Sequence, residues 1–136
     1  MKIEYKNQTV EMPVKFTSLI DEKKVLELSN MFNQQIADGW ELVAHSYLGN
    51  QGLKTNVLYI TFKTSDESIP TIEYKSEIME MKTKVFGSST NENESKFNGM
   101  FNQQISEGWE LVTHTFLNTA EGAQPEVMFV TFKKAR

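Results

Sequence analysis

Hydrophobic positions follow a helical pattern and then an alternating pattern in the first half of the chain. Apolar residues stand at helical spacing within residues 22–38: Val25, Leu28, Phe32 and Ile36. This spacing predicts an amphipathic helix with one apolar face. Residues 57–63 instead alternate, with Leu58, Ile60 and Phe62 on one side of the predicted strand. We expect that side to pack under the helix and the other side to be partly buried elsewhere in the molecule.

The second half of the chain repeats these patterns. The segment MFNQQIADGWELVAHSYL, residues 31–48, returns 69 residues later as MFNQQISEGWELVTHTFL, residues 100–117. The segment VLYITFK, residues 57–63, returns 70 residues later as VMFVTFK, residues 127–133. The additional residue belongs to the loop between these segments, where the two copies differ. The sequence therefore predicts an internal duplication in which each copy has the order strand, helix, strand, strand.

The predicted helices have recognisable boundaries. Gly39 and Gly108 follow them directly, and each glycine is expected to adopt the left-handed conformation that ends a helix. The helix in the second copy has the apolar stripe Phe97, Phe101 and Ile105. The segment GSSTNENES before it, residues 87–95, is typical of a mobile loop that ends in a helix cap.

Two strand patterns carry further information. The first strand has Ile3 and Tyr5 at one parity, followed by Val10, Met12, Val14 and Phe16 at the other. This change predicts a β-bulge or a tight turn, and Pro13 favours an edge strand. The strand after the helix places Trp40, Leu42, Ala44 and Ser46 on one face and Glu41, Val43, His45 and Tyr47 on the other. We therefore expect His45 to share a face with Glu41.

Together these elements predict an α+β fold of two tandem β-α-β-β repeats related by pseudo-two-fold symmetry. Each repeat is expected to form an antiparallel sheet with one helix on one face. The first repeat spans residues 1–63, the linker residues 64–71, and the second repeat residues 72–136. The uncovered sheet faces could pack together, or the strands could join edge to edge into one continuous sheet, and the sequence leaves both arrangements open.

Composition and charge exclude several function classes. A net charge of −4 over 136 residues gives no general attraction for nucleic acid or for an anionic membrane. The chain has no cysteine, which rules out disulfides and thiolate chemistry. Without closely spaced histidines or paired aspartates, neither a metal nor another cofactor is expected. No signal peptide or membrane span is predicted, so we expect a cytoplasmic location.

Three short motifs resemble a known family. They are IEYK at residues 3–6 and 72–75, GWELV at 39–43 and 108–112, and a closing strand that ends in Phe-Lys. Each half resembles a family of short bacterial and phage domains of unknown function, whose pattern includes Tyr-Glu-Tyr-Lys and Glu-Gly-Trp-Glu-Leu-Val. The resemblance covers most of both halves and implies the same order of strands and helix. It brings no catalytic residue, and the first copy departs from it with Asp38 before the glycine.

The candidate ligand-binding residues form three equivalent pairs: His45 and His114, Tyr59 and Phe129, Lys63 and Lys133. Two histidines on facing lobes could line one site as acid, base or ligand donor. Alternatively, each histidine fills a half-buried strand position. The two aromatic residues lie on the strand face that the helix is not expected to cover, with the lysines beside them. Trp40 and Trp109 are expected to fill the junction between helix and sheet rather than to stack on a ligand.

The remaining signals favour binding over catalysis. The identical Asn-Gln-Gln runs at residues 33–35 and 102–104 predict hydrogen bonds between lobes or to a partner, unless duplication alone explains their identity. No phosphate-binding loop or nucleophile motif is present, so we expect no enzyme. We expect a non-catalytic protein that sequesters a small molecule, such as a nucleotide-like signal, between the repeats, in a phage or mobile-element accessory role. The alternative is a protein interaction or inhibitor module, and assembly of the fused dimer into a homo-oligomer stays open.

Overall fold

The fold consists of two three-stranded antiparallel sheets and two helices. A computed structural model of the chain describes residues 2–13, 22–50, 55–65, 72–80, 90–117 and 127–135. The first lobe contains β1 (Tyr5–Pro13), α1 (Glu22–Ala37), β2 (Trp40–Asn50) and β3 (Thr55–Thr64). The second lobe contains β4 (Ile72–Glu80), α2 (Thr90–Ser106), β5 (Glu110–Leu117) and β6 (Val127–Ala135). The strand orders are β1-β3-β2 and β4-β6-β5, so the predicted α+β class is confirmed.

Helix α1 forms where its apolar stripe predicts it. Val25, Leu28 and Phe32 are buried and Ile36 is partly buried. Burial of each such side chain contributes about 1.5–3 kcal/mol, so packing rather than intrinsic propensity holds the helix. The helix ends before Gly39, whose φ of 93° is a conformation that glycine adopts without steric cost. Gly108 ends α2 with the same φ of 93°, as predicted.

Helix α2 begins earlier and is less buried than the sequence suggests. It starts at Thr90, so the predicted loop is wrong from that residue onward, while residues 87–89 lie outside the described ranges. Helix formation is cooperative, and a well-packed later part can carry polar residues of low propensity into the helix. Phe97 and Phe101 pack against the second sheet, as predicted. Ile105 is 60% exposed, contrary to prediction, because none of the described elements covers its side of the helix.

Strand β1 is regular, and the predicted bulge or turn is wrong within residues 5–13. β1 pairs with β3 without interruption from Tyr5↔Lys63 to Pro13↔Thr55. Met12 is buried on the face toward α1, whereas Tyr5 lies on the opposite face and is exposed. The change of parity therefore reflects different faces of one regular strand. β1 is an edge strand, as Pro13 predicts, while Val14 and Phe16 lie outside the described residues.

The alternating pattern misses two register shifts in strand β2, of which the second lies between Tyr47 and Gly49. At the first, the pairing of β2 with β3 shifts between Leu42 and Ala44, and His45 consequently lies opposite Ile60. Since an extra residue in one strand reverses the alternation of its side chains, Leu42 and His45 both face α1. The expectation that His45 shares a face with Glu41 is therefore wrong. β5 shows the same shift, between Leu111 and Thr113.

The two lobes are in contact through α1, which lies between the sheets. The ring of Phe32 is 6.2 Å from that of Phe62 in β3 and 6.3 Å from that of Tyr74 in β4. We call the side of each sheet that faces away from its own lobe's helix the back face. α1 and β2 cover the back face of the second sheet, but Tyr5 and Tyr59 on the back face of the first sheet are exposed. The reciprocal contact that two-fold symmetry requires is not seen there, and the predicted pseudo-two-fold relation is not confirmed.

Candidate functional site

Helix α1 binds the backbone at the edge of the second sheet. The side-chain amide of Asn33 donates from Nδ2 to the Tyr74 carbonyl oxygen over 3.1 Å, and its Oδ1 accepts from the Tyr74 N–H over 2.7 Å. One turn earlier, the Ser29 hydroxyl accepts from the Ser76 N–H over 2.9 Å. β4 is an edge strand, and edge strands present unpaired backbone groups. Side chains of α1 thus take the place of a neighbouring strand.

His45 is the polar centre of the lobe contact. It projects from β2 onto the back face of the second sheet, where its Nδ1 bonds to the Thr115 hydroxyl and its Nε2 lies 3.0 Å from Thr131 Oγ1. The Thr115 hydroxyl also donates to the His45 carbonyl oxygen over 2.8 Å. The imidazole ring stacks on Phe32 and contacts Phe129, with ring centroids 6.3 and 4.7 Å apart. The histidine is therefore enclosed by aromatic rings and hydroxyls.

This enclosure keeps the His45 ring neutral. Because the Thr115 hydroxyl donates its proton to the His45 carbonyl oxygen, Nδ1 must carry the ring proton and donate it to the Thr115 oxygen. Nε2 then accepts from Thr131, whose oxygen lies 2.7 Å from Ser76 Oγ and accepts from that hydroxyl. Burial, with a smaller contribution from His114, lowers the pKa of His45 from 6.5 to about 3. Every polar atom of the ring has a partner in its uncharged form.

Tyr74 joins the lobes a second time. Its side chain is 2% exposed, and its hydroxyl oxygen accepts a hydrogen bond from the Leu42 N–H over 3.2 Å. Burial raises the pKa of the Tyr74 phenol, because the phenolate is poorly solvated there. Tyr74 thus joins the lobes by apolar burial and by hydrogen bonds at both ends of the residue. Its backbone bonds to Asn33, and its hydroxyl bonds to β2.

The back face of the first sheet carries nearly the same residues, and no helix or strand in the described part of the chain covers it. Tyr5 occupies the position of Tyr74 in the repeat but is 64% exposed, and Tyr59 occupies the position of Phe129 but is 38% exposed against 0%. Ile3 is also exposed, whereas its equivalent Ile72 is buried. Leu48 is exposed as the extra residue of the second register shift in β2, whereas its equivalent Leu117 pairs with Val127 and is buried. Exposed aromatic and aliphatic groups in one area are typical of an interaction surface.

The structure gives the members of the histidine pair and of the aromatic pair unlike surroundings. His45 and Phe129 touch each other inside the lobe contact, whereas His114 and Tyr59 are exposed, each on its own lobe. Lys63 and Lys133 are both half-buried. Of the six residues, His45 and Phe129 therefore share one buried contact, while the other four are exposed or half-buried.

A second pair of clusters is the same in both lobes. Lys6 bonds to Gln35 of α1 and lies over the Trp40 ring, with Nζ 4.5 Å from the centroid. Lys75 bonds to Gln104 of α2 over 2.6 Å, and its Nζ is 4.4 Å from the Trp109 centroid. Each lysine places its charge over an indole and joins its own helix to its own sheet. These clusters hold each lobe together and agree with the expected filling of the junction by tryptophan.

The contact residues that the six candidates omit include Asn33, Ser29 and Tyr74. The Asn-Gln-Gln identity already indicated hydrogen bonds between lobes, and Asn33 makes them. The two glutamines serve other purposes, since Gln35 bonds within its lobe and Gln34 bonds to Asp38. Identity between the repeats does not point to Ser29, because the equivalent residue in the second repeat is Asn98.

Comparisons with known proteins give this chain no relatives. It matches no family model, no curated protein and no solved structure. Among the residues that the structure describes, no group of three or more histidine, aspartate or glutamate side chains could hold a metal ion. Within the same ranges, neither helix is long and apolar enough to cross a membrane.

Proposed function

We propose that this protein is a non-catalytic binding protein that holds an amphipathic helix of a protein partner on the back face of its first sheet. The observation that carries the proposal is the contact inside the molecule, where α1 covers the β4 side of the equivalent face of the second sheet and β2 covers the β5 side. Tyr5 and Tyr59 are exposed at the positions where Tyr74 and Phe129 are buried. A face built on the same pattern is therefore free to accept a similar helix.

The internal contact defines the chemistry of the partner. The helix should carry an aromatic side chain at the position of Phe32, which packs between the sheets. It should also carry an asparagine one residue later, as α1 carries Asn33, to bond the backbone of the edge strand β1 at Tyr5. Backbone recognition of an edge strand depends little on the strand's side chains. Affinity would come mainly from the aromatic anchor.

Several features support a protein partner over a sequestered small molecule. Of the six predicted ligand-binding residues, the two histidines lie in unlike surroundings, and so do the two aromatic residues. A catalytic role is also poorly supported, because His45 is buried among hydroxyls and rings. The proposal retains an origin by duplication of one β-α-β-β unit, for which the GWELV and IEYK repeats are the support. A phage or mobile-element accessory role belongs to the proposal only through the family resemblance.

A peptide with the sequence of α1 tests the proposal. It should be titrated into the isotope-labelled full chain while backbone amide shifts are followed by NMR, up to roughly millimolar peptide because an isolated helix of this length is marginally stable in water. We expect saturable shifts at Tyr5, Tyr59 and Thr61. A control peptide with Phe32→Asp should leave them unchanged.

Two results would overturn this proposal. One is the absence of shifts on the back face of the first sheet at the highest peptide concentration. The other is an equal response to the Phe32→Asp peptide, which would show that the response does not depend on the aromatic anchor.

A further inference from the structure

The partner helix can be identified within the sequence of this protein. We propose that α2 of a second copy of this chain docks on the back face of the first sheet, so that the chains assemble head to tail. The contact between copies would repeat the contact that α1 makes with the second sheet inside each chain. This inference rests on the proposed function, because it names the partner of the same surface.

Helix α2 leaves two residues at docking positions of α1 exposed, Asn102 and Ile105. Phe101, at the position of Phe32, packs on Phe132 of its own lobe. Asn102 stands at the repeat position of Asn33, in the identical segment MFNQQI, and it is exposed. Ile105 is 60% exposed, while its equivalent Ile36 packs against the core of the lobe contact. In the proposed assembly Asn102 bonds the backbone of Tyr5 in a second copy, as Asn33 bonds that of Tyr74.

The histidine site is also present in both halves. His114 is exposed at the repeat position of His45. The residues that would receive it are Ser46 and Thr61, which are equivalent to Thr115 and Thr131 and keep the hydroxyl at each position. Thr61 already donates to Asn7 over 2.7 Å, at the position where Thr131 is paired with Ser76 in the second lobe. The hydroxyls that enclose His45 thus have counterparts in the first lobe, but Thr61 must turn its proton away from Asn7 Oδ1 to donate to His114 as Thr131 donates to His45.

Of the ten large hydrophobic residues that are exposed in the described part of the chain, six fall on two separate surfaces in the way that this assembly requires. The other four are Leu26, Val43, Tyr47 and Phe116. One surface belongs to the first lobe and contains Ile3, Tyr5, Leu48 and Tyr59, whose equivalents are all buried in the second lobe. The other belongs to the second lobe and contains Ile105 and Leu111, whose equivalents pack in the core of the first lobe. Since each chain presents two different surfaces, the contact is heterologous and generates a ring or a filament.

Two differences predict that the contact between chains is weaker than the contact within a chain, and the first is Asn98 in α2 where α1 has Ser29, which accepts from the Ser76 N–H. The second is Glu94, which stands in α2 where α1 has the buried Val25. The contact between chains therefore loses one apolar side chain and gains a charge. Assembly should consequently depend on protein concentration, whereas the contact between lobes of one chain does not.

The decisive experiment uses two complementary variants of the full chain, with mass measured by light scattering during size-exclusion chromatography over a range of concentrations. Tyr59→Asp blocks the receiving face and leaves α2 intact. Ile105→Asp blocks α2 and leaves the receiving face intact. Each variant alone should run as a monomer of 15.6 kDa, and an equal mixture should form a complex of one chain of each. The complex stops at two chains because α2 of the Tyr59→Asp chain can dock on the first sheet of the Ile105→Asp chain, and every other contact is blocked.

Controls separate assembly from folding. Both substituted residues are exposed, so circular dichroism should show folded chains with melting temperatures close to that of the original protein measured at monomeric concentration. Leu26→Asp changes an exposed residue of α1 that lies on neither surface, and this variant should assemble like the unchanged chain.

Two outcomes would reject self-assembly. The unchanged chain could remain at 15.6 kDa at every concentration, or the mixture of folded variants could remain monomeric. If the α1 peptide still binds the first sheet in that case, the proposed binding function stands and the partner is a different protein. If the peptide fails as well, both proposals fall.

Discussion

The back faces of the two sheets have closely similar sequences and opposite surroundings. Phe129 and Thr131 of the second sheet are fully buried under the first lobe, whereas Tyr59 and Thr61 at the same repeat positions are in contact with solvent. The difference arises because α1 lies between the sheets and α2 lies at the end of the stack. Repeated residues thus have different energetic roles, depending on which lobe they belong to.

The largest expected difference between the two back faces is in how much their aromatic residues contribute to the free energy of unfolding. Phe129→Ala should lower the free energy of unfolding by about 3–5 kcal/mol, because it opens a cavity in a fully packed site. Tyr59→Ala should lower it by less than about 1 kcal/mol, since the side chain is partly in water. Urea unfolding of both variants at a concentration where the chain is monomeric measures the comparison. Equal losses would contradict the asymmetric arrangement of lobes.

The next difference concerns the asparagines of the two helices. Asn33→Ala removes two hydrogen bonds to Tyr74 and leaves buried backbone groups of β4 unpaired, at a cost of about 1–3 kcal/mol. Asn102→Ala changes an exposed side chain and should alter stability by about 0.5 kcal/mol or less. Thermal unfolding of the monomeric chain compares them. A large loss for Asn102→Ala under those conditions would show that α2 already makes this contact within one chain.

The third difference is a pH dependence that belongs to His45. The unfolded chain takes up a proton at this residue near pH 6.5, whereas the folded chain keeps it neutral down to about pH 3. Protonation of the unfolded state therefore lowers stability as the pH falls through 6.5, until the folded state is also protonated near pH 3. Between pH 7.5 and 5.5 the loss should be about 1.4 kcal/mol.

Equilibrium unfolding at these two pH values measures that loss. A His45→Phe variant should lack this contribution, whatever its overall stability, because no group titrates at that position. A loss of the same size in the variant would assign the pH dependence to other groups. His114→Asn, at the matched exposed position, provides the control and should cost little stability at pH 7.5.

The sequence predicted the elements of the fold well where local pattern and burial agree. The stripe of Val25, Leu28 and Phe32 predicted α1, and the alternation of Leu58, Ile60 and Phe62 predicted the buried face of β3. Gly39 and Gly108 were correctly predicted to end the helices with positive φ. These features depend on backbone geometry and on the period of the side chains, and both are local.

Prediction from the sequence failed where one extra residue in a strand or contact with the other lobe determined the surroundings of a side chain. A single bulge residue, Val43, reverses the face of His45, and no turn residue or glycine marks it. The buried Tyr74 and the exposed Tyr5 lie in identical IEYK motifs, so no local rule could distinguish them. The members of the candidate pairs are equivalent in sequence. The structure nevertheless buries one member of the histidine pair and one member of the aromatic pair and leaves the other exposed.

The sequence by itself determined the two sets of strands and helices and the polar groups available to join them, because spacing, glycine conformation and hydrogen-bonding capacity are properties of the chain. Only the tertiary structure decided which copy of each group is used. α1 can cover only one sheet besides its own, and it covers the second. The face of the first sheet and the side of α2 that carries Asn102 and Ile105 consequently remain open, and that asymmetry is the basis for the proposed function.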